Sequence, residues 1–169
     1  SLTGSGLQDR GFHYEEDGFQ LDNSGSYSFL SIQSGDFRYA GSPSFLNDTP
    51  DGVITLTKIG GGAFALDSID LDSLNGADNT RLTFIADLVG GGTATATFVT
   101  DLVFPSLQTF SFDSTFDNVT AVSWTQTWPY HSFDNIVVNG DNKVPEPASA
   151  ALLCLGLAGL GFARRRRAD

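Results

Sequence analysis

The chain has 169 residues, 40% hydrophobic and 17% charged, with 14 Phe, one Cys and no Met. That apolar share excludes a disordered chain, which buries too little to repay its ordering entropy, and one Cys excludes a disulfide framework or a Cys-rich zinc site. Residues 1–143 carry five basic and 18 acidic side chains, a net charge of −13, whereas residues 144–169 carry four Arg and two acids; such an acidic body repels phosphate backbones and excludes nucleic acid as a partner.

With no Met at position 1, an export signal is expected to precede Ser1 in the full gene. Residues 12–14 and 18–21 form short β patterns around the acidic turn Glu15, Glu16 and Asp17. A strand is predicted over 27–32. Residues 34–52 are rich in Gly, Ser, Pro and Asp, and read as the longest loop. Strands follow at 53–59, 64–71, 82–89, 93–99, 109–112, 121–128 and 133–138. Alternation is cleanest at Thr93, Ala94, Thr95, Ala96 and Thr97, with hydroxyls on one face and methyls on the other. Gly90, Gly91 and Gly92 read as a hairpin loop, and Gly60, Gly61 and Gly62 as a similar one. Between 64 and 71 the apolar phase slips: Phe64 and Leu66 align, then Ile69 and Leu71. One extra residue at Asp67 or Ser68 causes such a slip, which predicts a β-bulge. No stretch before Pro147 keeps a helical period for three turns. Nine or ten short strands predict a two-sheet antiparallel sandwich of jelly-roll type over residues 1–140, its interior filled by phenylalanines.

Residues 141–147 read as a linker containing Pro145, Glu146 and Pro147. The two prolines deny this segment a regular helix or sheet ladder and leave extended, protease-accessible backbone. Residues 148–163 are 16 uncharged residues, followed at once by Arg164, Arg165, Arg166 and Arg167 in a tail over 164–169. As a helix the uncharged run spans about 24 Å, enough for a membrane segment when the flanking arginines snorkel and the bilayer thins. The positive-inside rule keeps the arginines cytoplasmic and places the body outside.

Catalytic constellations are lacking in the body. His13 and His131 are the only histidines, no Gly-x-Ser-x-Gly elbow is present, and the only glutamates of the body, Glu15 and Glu16, are neighbours that point to opposite faces of a strand. No catalytic residue is assigned. A sugar platform is the better chemistry: Trp128, Tyr130 and His131 cluster near a strand end around Pro129, and flat aromatic rings stack on apolar sugar faces. Trp124, four residues before Trp128, is expected to share its face, but as a core residue. Structural calcium is the one cofactor considered, on hard oxygen ligands from Asp134 and Asn135 with Asp9, or from Asp67, Asp70 and Asp72.

Pro145-Glu146-Pro147, the short apolar helix and the terminal arginine cluster together resemble the PEP-CTERM sorting signal of bacterial exported proteins, over residues 144–167. The resemblance implies recognition by exosortase, an integral-membrane cysteine peptidase, with cleavage near Pro145, Glu146 and Pro147. It also implies a Gram-negative bacterium that makes extracellular polysaccharide. Residues 62–71 and 133–138 resemble strands of ectodomains joined to such tails, and the Phe133-Asp134-Asn135 ending is similar to that of carbohydrate-binding jelly rolls. The first reading is a non-catalytic exported protein, anchored transiently in the inner membrane and then placed at the cell surface or in the extracellular matrix of a biofilm. The alternative is a carbohydrate-binding module for extracellular polysaccharide, and the third is a secreted polysaccharide hydrolase.

Overall fold

The computed structural model describes residues 4–74 and 79–140. Twelve strands occupy them: β1 (Leu7–Gly11), β2 (His13–Glu16), β3 (Phe19–Asn23), β4 (Phe29–Ile32), β5 (Ser44–Asn47), β6 (Val53–Lys58), β7 (Leu66–Ser73), β8 (Arg81–Leu88), β9 (Thr93–Val99), β10 (Gln108–Ser111), β11 (Val119–Thr125) and β12 (His131–Val138). One 3-10 turn, Ser114–Phe116, is capped by Asp113. The strands form two six-stranded antiparallel sheets, one ordered β1-β4-β5-β12-β7-β10 and the other β2-β3-β6-β11-β8-β9. The chain passes repeatedly from one sheet to the other, so the predicted all-β sandwich with jelly-roll winding is the observed architecture. The membrane helix expected at 148–163, the prolines at 145 and 147 and the four arginines lie outside the described residues. Among the described residues no helix is long and apolar enough to cross a membrane.

Period-two patterning decides what each strand buries. Along β8, Leu82, Phe84 and Ala86 are buried while Arg81, Thr83, Ile85 and Asp87 are exposed, as one wetted face requires. The phenylalanines fill the interior: Phe29, Phe45 and Phe133 form one ring cluster, and Phe84, Phe112 and Phe116 another. Trp124 joins them, its ring 5.2 Å from Phe84 and 5.3 Å from Phe133. A smaller apolar cluster of Ile32, Leu46 and Leu74 is covered by Tyr39 and Tyr130. Leu46 follows core-facing Phe45 in β5, so this second cluster lies on the outer side of its sheet.

The bulge expected near Asp67 is present. Val137 and Val138 of β12 pair with Ser68 and Leu66 of β7, which leaves Asp67 as the extra residue. Gly90, Gly91 and Gly92 close the β8–β9 hairpin with positive φ at all three, a conformation glycine adopts without strain. The glycines at 60–62 do not close a hairpin. They carry the chain out of β6, and Phe64 makes a lone bridge to Val119 before the chain changes sheets at β7. Two strands escape the sequence pattern, β1 and β5. All four residues of β5 are buried, so it shows no alternation, and it lies in the stretch read as a loop.

Candidate functional site

The 121–128 strand predicted from sequence stops early. β11 ends at Thr125 because Gln126 turns its backbone to the loop before β6: its amide donates to Gly52 O at 2.9 Å and its carbonyl accepts from Asp51 N at 2.8 Å. The strand phase therefore breaks between the two tryptophans. Trp124 is buried, as expected, and Trp128 is 73% exposed; they do not share a face. Trp128 precedes a cis peptide bond to Pro129. Its ring meets Tyr130 edge to face, centroids 5.5 Å apart at 83°. Tyr130 is held from two directions. Its carbonyl accepts from Leu74 N at 2.9 Å, and its ring rests on the Ile32, Leu46 and Leu74 cluster beside Tyr39. The result is a large apolar ring in water, standing on a second ring fixed by packing. The Tyr130 phenol is shifted up, chiefly by burial and also by the Asp48 carboxylate nearby, so it stays a hydroxyl donor across the neutral range.

His131 does not belong to this surface. It opens β12 and points inward with Phe133, ring centroids 6.5 Å apart, and it is wholly buried. Neither ring nitrogen has a hydrogen-bond partner, and burial pushes its pKa down to about 3. The imidazole is a neutral core group. Placing it with Trp128 and Tyr130 fails because β12 begins at His131, two residues before the predicted start at 133, which puts His131 on the inner phase of a strand.

The carboxylates considered for calcium are scattered. Asp9 is exposed on β1, while Asp134 and Asn135 lie on β12, with β4 and β5 between. Asp9 accepts from Gly11 N at 2.8 Å. Asp134 accepts from the Ser42 hydroxyl at 2.5 Å. Asn135 donates its side-chain amide to Asp70 at 2.8 Å, and Thr109 donates to the other Asp70 oxygen at 2.6 Å. Asp67 accepts from Gly140 N at 2.6 Å, and Asp72 is buried. Among the described residues no three His, Cys, Asp or Glu side chains are placed to hold a metal ion.

A concave feature was invisible in the sequence. A groove of about 700 Å³ opens between the β2–β3 hairpin of one sheet and the end of β12 in the other, lined in part by Tyr14, Gln20, Phe45, Phe133, Asp134 and Asn135. Four separate chain segments meet there. The local signals for it are Asp17, Asn135 and Asn139, residue types that tolerate left-handed backbone.

The model of the PEP-CTERM protein-sorting motif matches residues 143–167, so the chain carries this motif at the predicted place. No curated protein matches the chain. Two similar solved structures are carbohydrate-binding modules of family 29. One, a mutant of CBM29-2, is 12% identical, covering 84% of this chain and 99% of that chain at a TM-score of 0.44. The other is described as a family 29 carbohydrate binding module and is also 12% identical, covering 79% of this chain and 85% of that chain at a TM-score of 0.40.

Proposed function

We propose that this chain is a non-catalytic exported protein of a Gram-negative bacterium, sorted through its C-terminal motif to the cell surface or extracellular matrix. The observation that carries this reading is the PEP-CTERM motif match over residues 143–167. Exosortase would be the partner. Residues 148–163 would hold the chain in the inner membrane, Arg164 to Arg167 would stop transfer at the cytoplasmic side, and cleavage near Pro145, Glu146 and Pro147 would release the sandwich. The physical division of labour supports it: an acidic body suited to solution and an uncharged run ending in four arginines. The test is a reporter carrying residues 144–169 at its C-terminus, expressed with and without exosortase. Trimming and release only when the peptidase is present is the expected result. A reporter that stays full length in the membrane with exosortase present overturns the sorting assignment.

A second reading concerns what the delivered sandwich does. The 73% exposure of Trp128, on a Tyr130 locked by packing, favours binding of extracellular polysaccharide by ring stacking. Large aromatics are ordinarily well buried, and one left in water on a rigid support can stack on a ligand without first being ordered. Affinity electrophoresis through polysaccharide gels is expected to show retardation that Trp128→Ala reduces. Equal retardation of the variant removes the platform.

A further inference from the structure

The groove between β12 and the β2–β3 hairpin is a consequence of strand lengths. β5 has four residues, and only one of them, Phe45, is registered against β12, at Phe133. Beyond that pair, residues 134–138 of β12 are paired with β7 alone, so the sheet has a notch. Both strands there are bulged. Asp134 pairs with Asp70 and Val137 with Ser68, which puts an extra residue into β12 around Asn135 and Ile136. The notch opens towards the interior, and the opposite wall is the β2–β3 turn of the other sheet.

The chemistry of this space is mixed in a specific way. Its deeper part is aromatic: Phe133 and Phe45 are buried, and Tyr14 is half-buried with its ring 4.7 Å from Phe45. Its mouth is polar, with Glu16, Asp17 and Asn135 exposed and Gln20 and Asp134 half-buried. The Tyr14 hydroxyl donates to Glu16 at 2.9 Å, and burial with this partner raises its pKa to about 12, so it remains protonated. Asp17, Asn135 and Asn139, three of the four non-glycine residues with positive φ among the described residues, line this groove.

We propose that this groove is a second glycan site, which takes an uncharged sugar unit of a polysaccharide chain. The Tyr14 ring, half-buried and backed by the buried Phe45, fits the C–H face of a pyranose ring, and side-chain amides and carboxylates at the mouth fit its hydroxyls, which both donate and accept. A volume of about 700 Å³ lies within the roughly 300–1,000 Å³ range of small-molecule sites. Three carboxylates at the mouth repel uronates, sulfates and phosphates. A peptide adding as a strand to the open edge of β12 is disfavoured, because two bulges twist that edge away from a regular ladder. This inference shares its ligand class with the Trp128 platform but uses none of its residues.

The test is isothermal titration of the full chain with cellohexaose, mannohexaose, chitohexaose and, as an anionic control, hexagalacturonate. One or more neutral hexasaccharides are expected to bind while hexagalacturonate does not. Asn135→Gly removes the amide while relieving the positive φ, and Gln20→Ala removes the second amide; each is expected to weaken binding about tenfold, the loss of one good hydrogen-bonding group. Glu16→Gln, at an exposed position, supplies a further groove variant should either fail to fold. Trp128→Ala is expected to leave this binding in place. Binding that survives the groove variants and is lost in Trp128→Ala overturns the groove and keeps the platform. Loss in the groove variants alone assigns these oligosaccharides to the groove, and the platform is tested separately by retardation in polysaccharide gels. Failure of every neutral hexasaccharide, or preference for the anionic one or for an extended peptide, overturns the groove assignment.

Discussion

The Asp72 carboxylate sits almost wholly out of water, 1% exposed, with no completed hydrogen bond to either oxygen. Desolvation is the main force on it, the charge of Asp101 adds to it, and the backbone amides of Ser106 and Ser73 oppose it only in part. Its pKa rises from 3.8 to about 7. The sign of the linkage follows. The folded state holds this proton more tightly than the unfolded chain, so stability falls as pH climbs from 3.8 to 7, and the cost is fully present above that. Asp72→Asn keeps the shape and removes the charge. It is expected to stabilise the protein by about 1–3 kcal/mol at pH 8 and to change little at pH 4, as read from urea unfolding at the two pH values. Equal effects at both would mean that the carboxylate is not the source. His131 shows the opposite limit of the same physics: burial holds it neutral down to about pH 3, so it takes no part in any titration near neutrality.

Strands were legible to the extent that one face is wet. β8 and β9 alternate cleanly, and their hairpin and register lay open in the sequence; the slip between Leu66 and Ile69 located the Asp67 bulge for the same reason. β5 was not legible, because both its faces are covered and its polar residues, Ser44 and Asn47, are as buried as Phe45 and Leu46. The end of β11 was missed because its successor, Gln126, is paired through loop backbone, a contact with no sequence period. The loop between β5 and β6 illustrates how tightly such segments are built. The buried side-chain amides of Asn23 and Asn47 exchange hydrogen bonds of 3.1 and 2.8 Å and so join the two sheets. A Cβ added at Gly52 would lie 2.3 Å from Asn47 Nδ2. Gly52→Ala must therefore displace that amide pair, and it is expected to cost about 2–3 kcal/mol, the scale of a broken buried polar network. Denaturant melting checks this, with Gly91→Ala, strained at φ +99 but with open space around it, as the smaller-effect comparison at about 1 kcal/mol.

At the scale of the whole molecule, the two candidate glycan sites were unequally visible. Trp128 and Tyr130 lie two residues apart, so composition alone exposed them. The groove joins residues near 14–20, 45 and 133–139, and only the fold puts them together. The sorting motif was the most legible part of the chain, because its recognition depends on order and spacing within one short segment. The body is expected to be an independent folding unit up to Gly140. A chain ended there should melt in one cooperative transition followed by circular dichroism, whereas ending the chain at Tyr130 should abolish that transition. The difference is β12, the longest neighbour of β7 and the strand placed between β5 and β7 in its sheet.

That placement makes the last strand to emerge the keystone of its sheet. Export delivers a polypeptide in order, so the half-built sandwich must wait, with its interior open, until its final segment has crossed. The stretch that finishes the structure is followed almost at once by the stretch that addresses it. Few residues separate the two: a cut at Pro145 or later would leave every strand in place, and a cut before Val138 would unlatch the cargo.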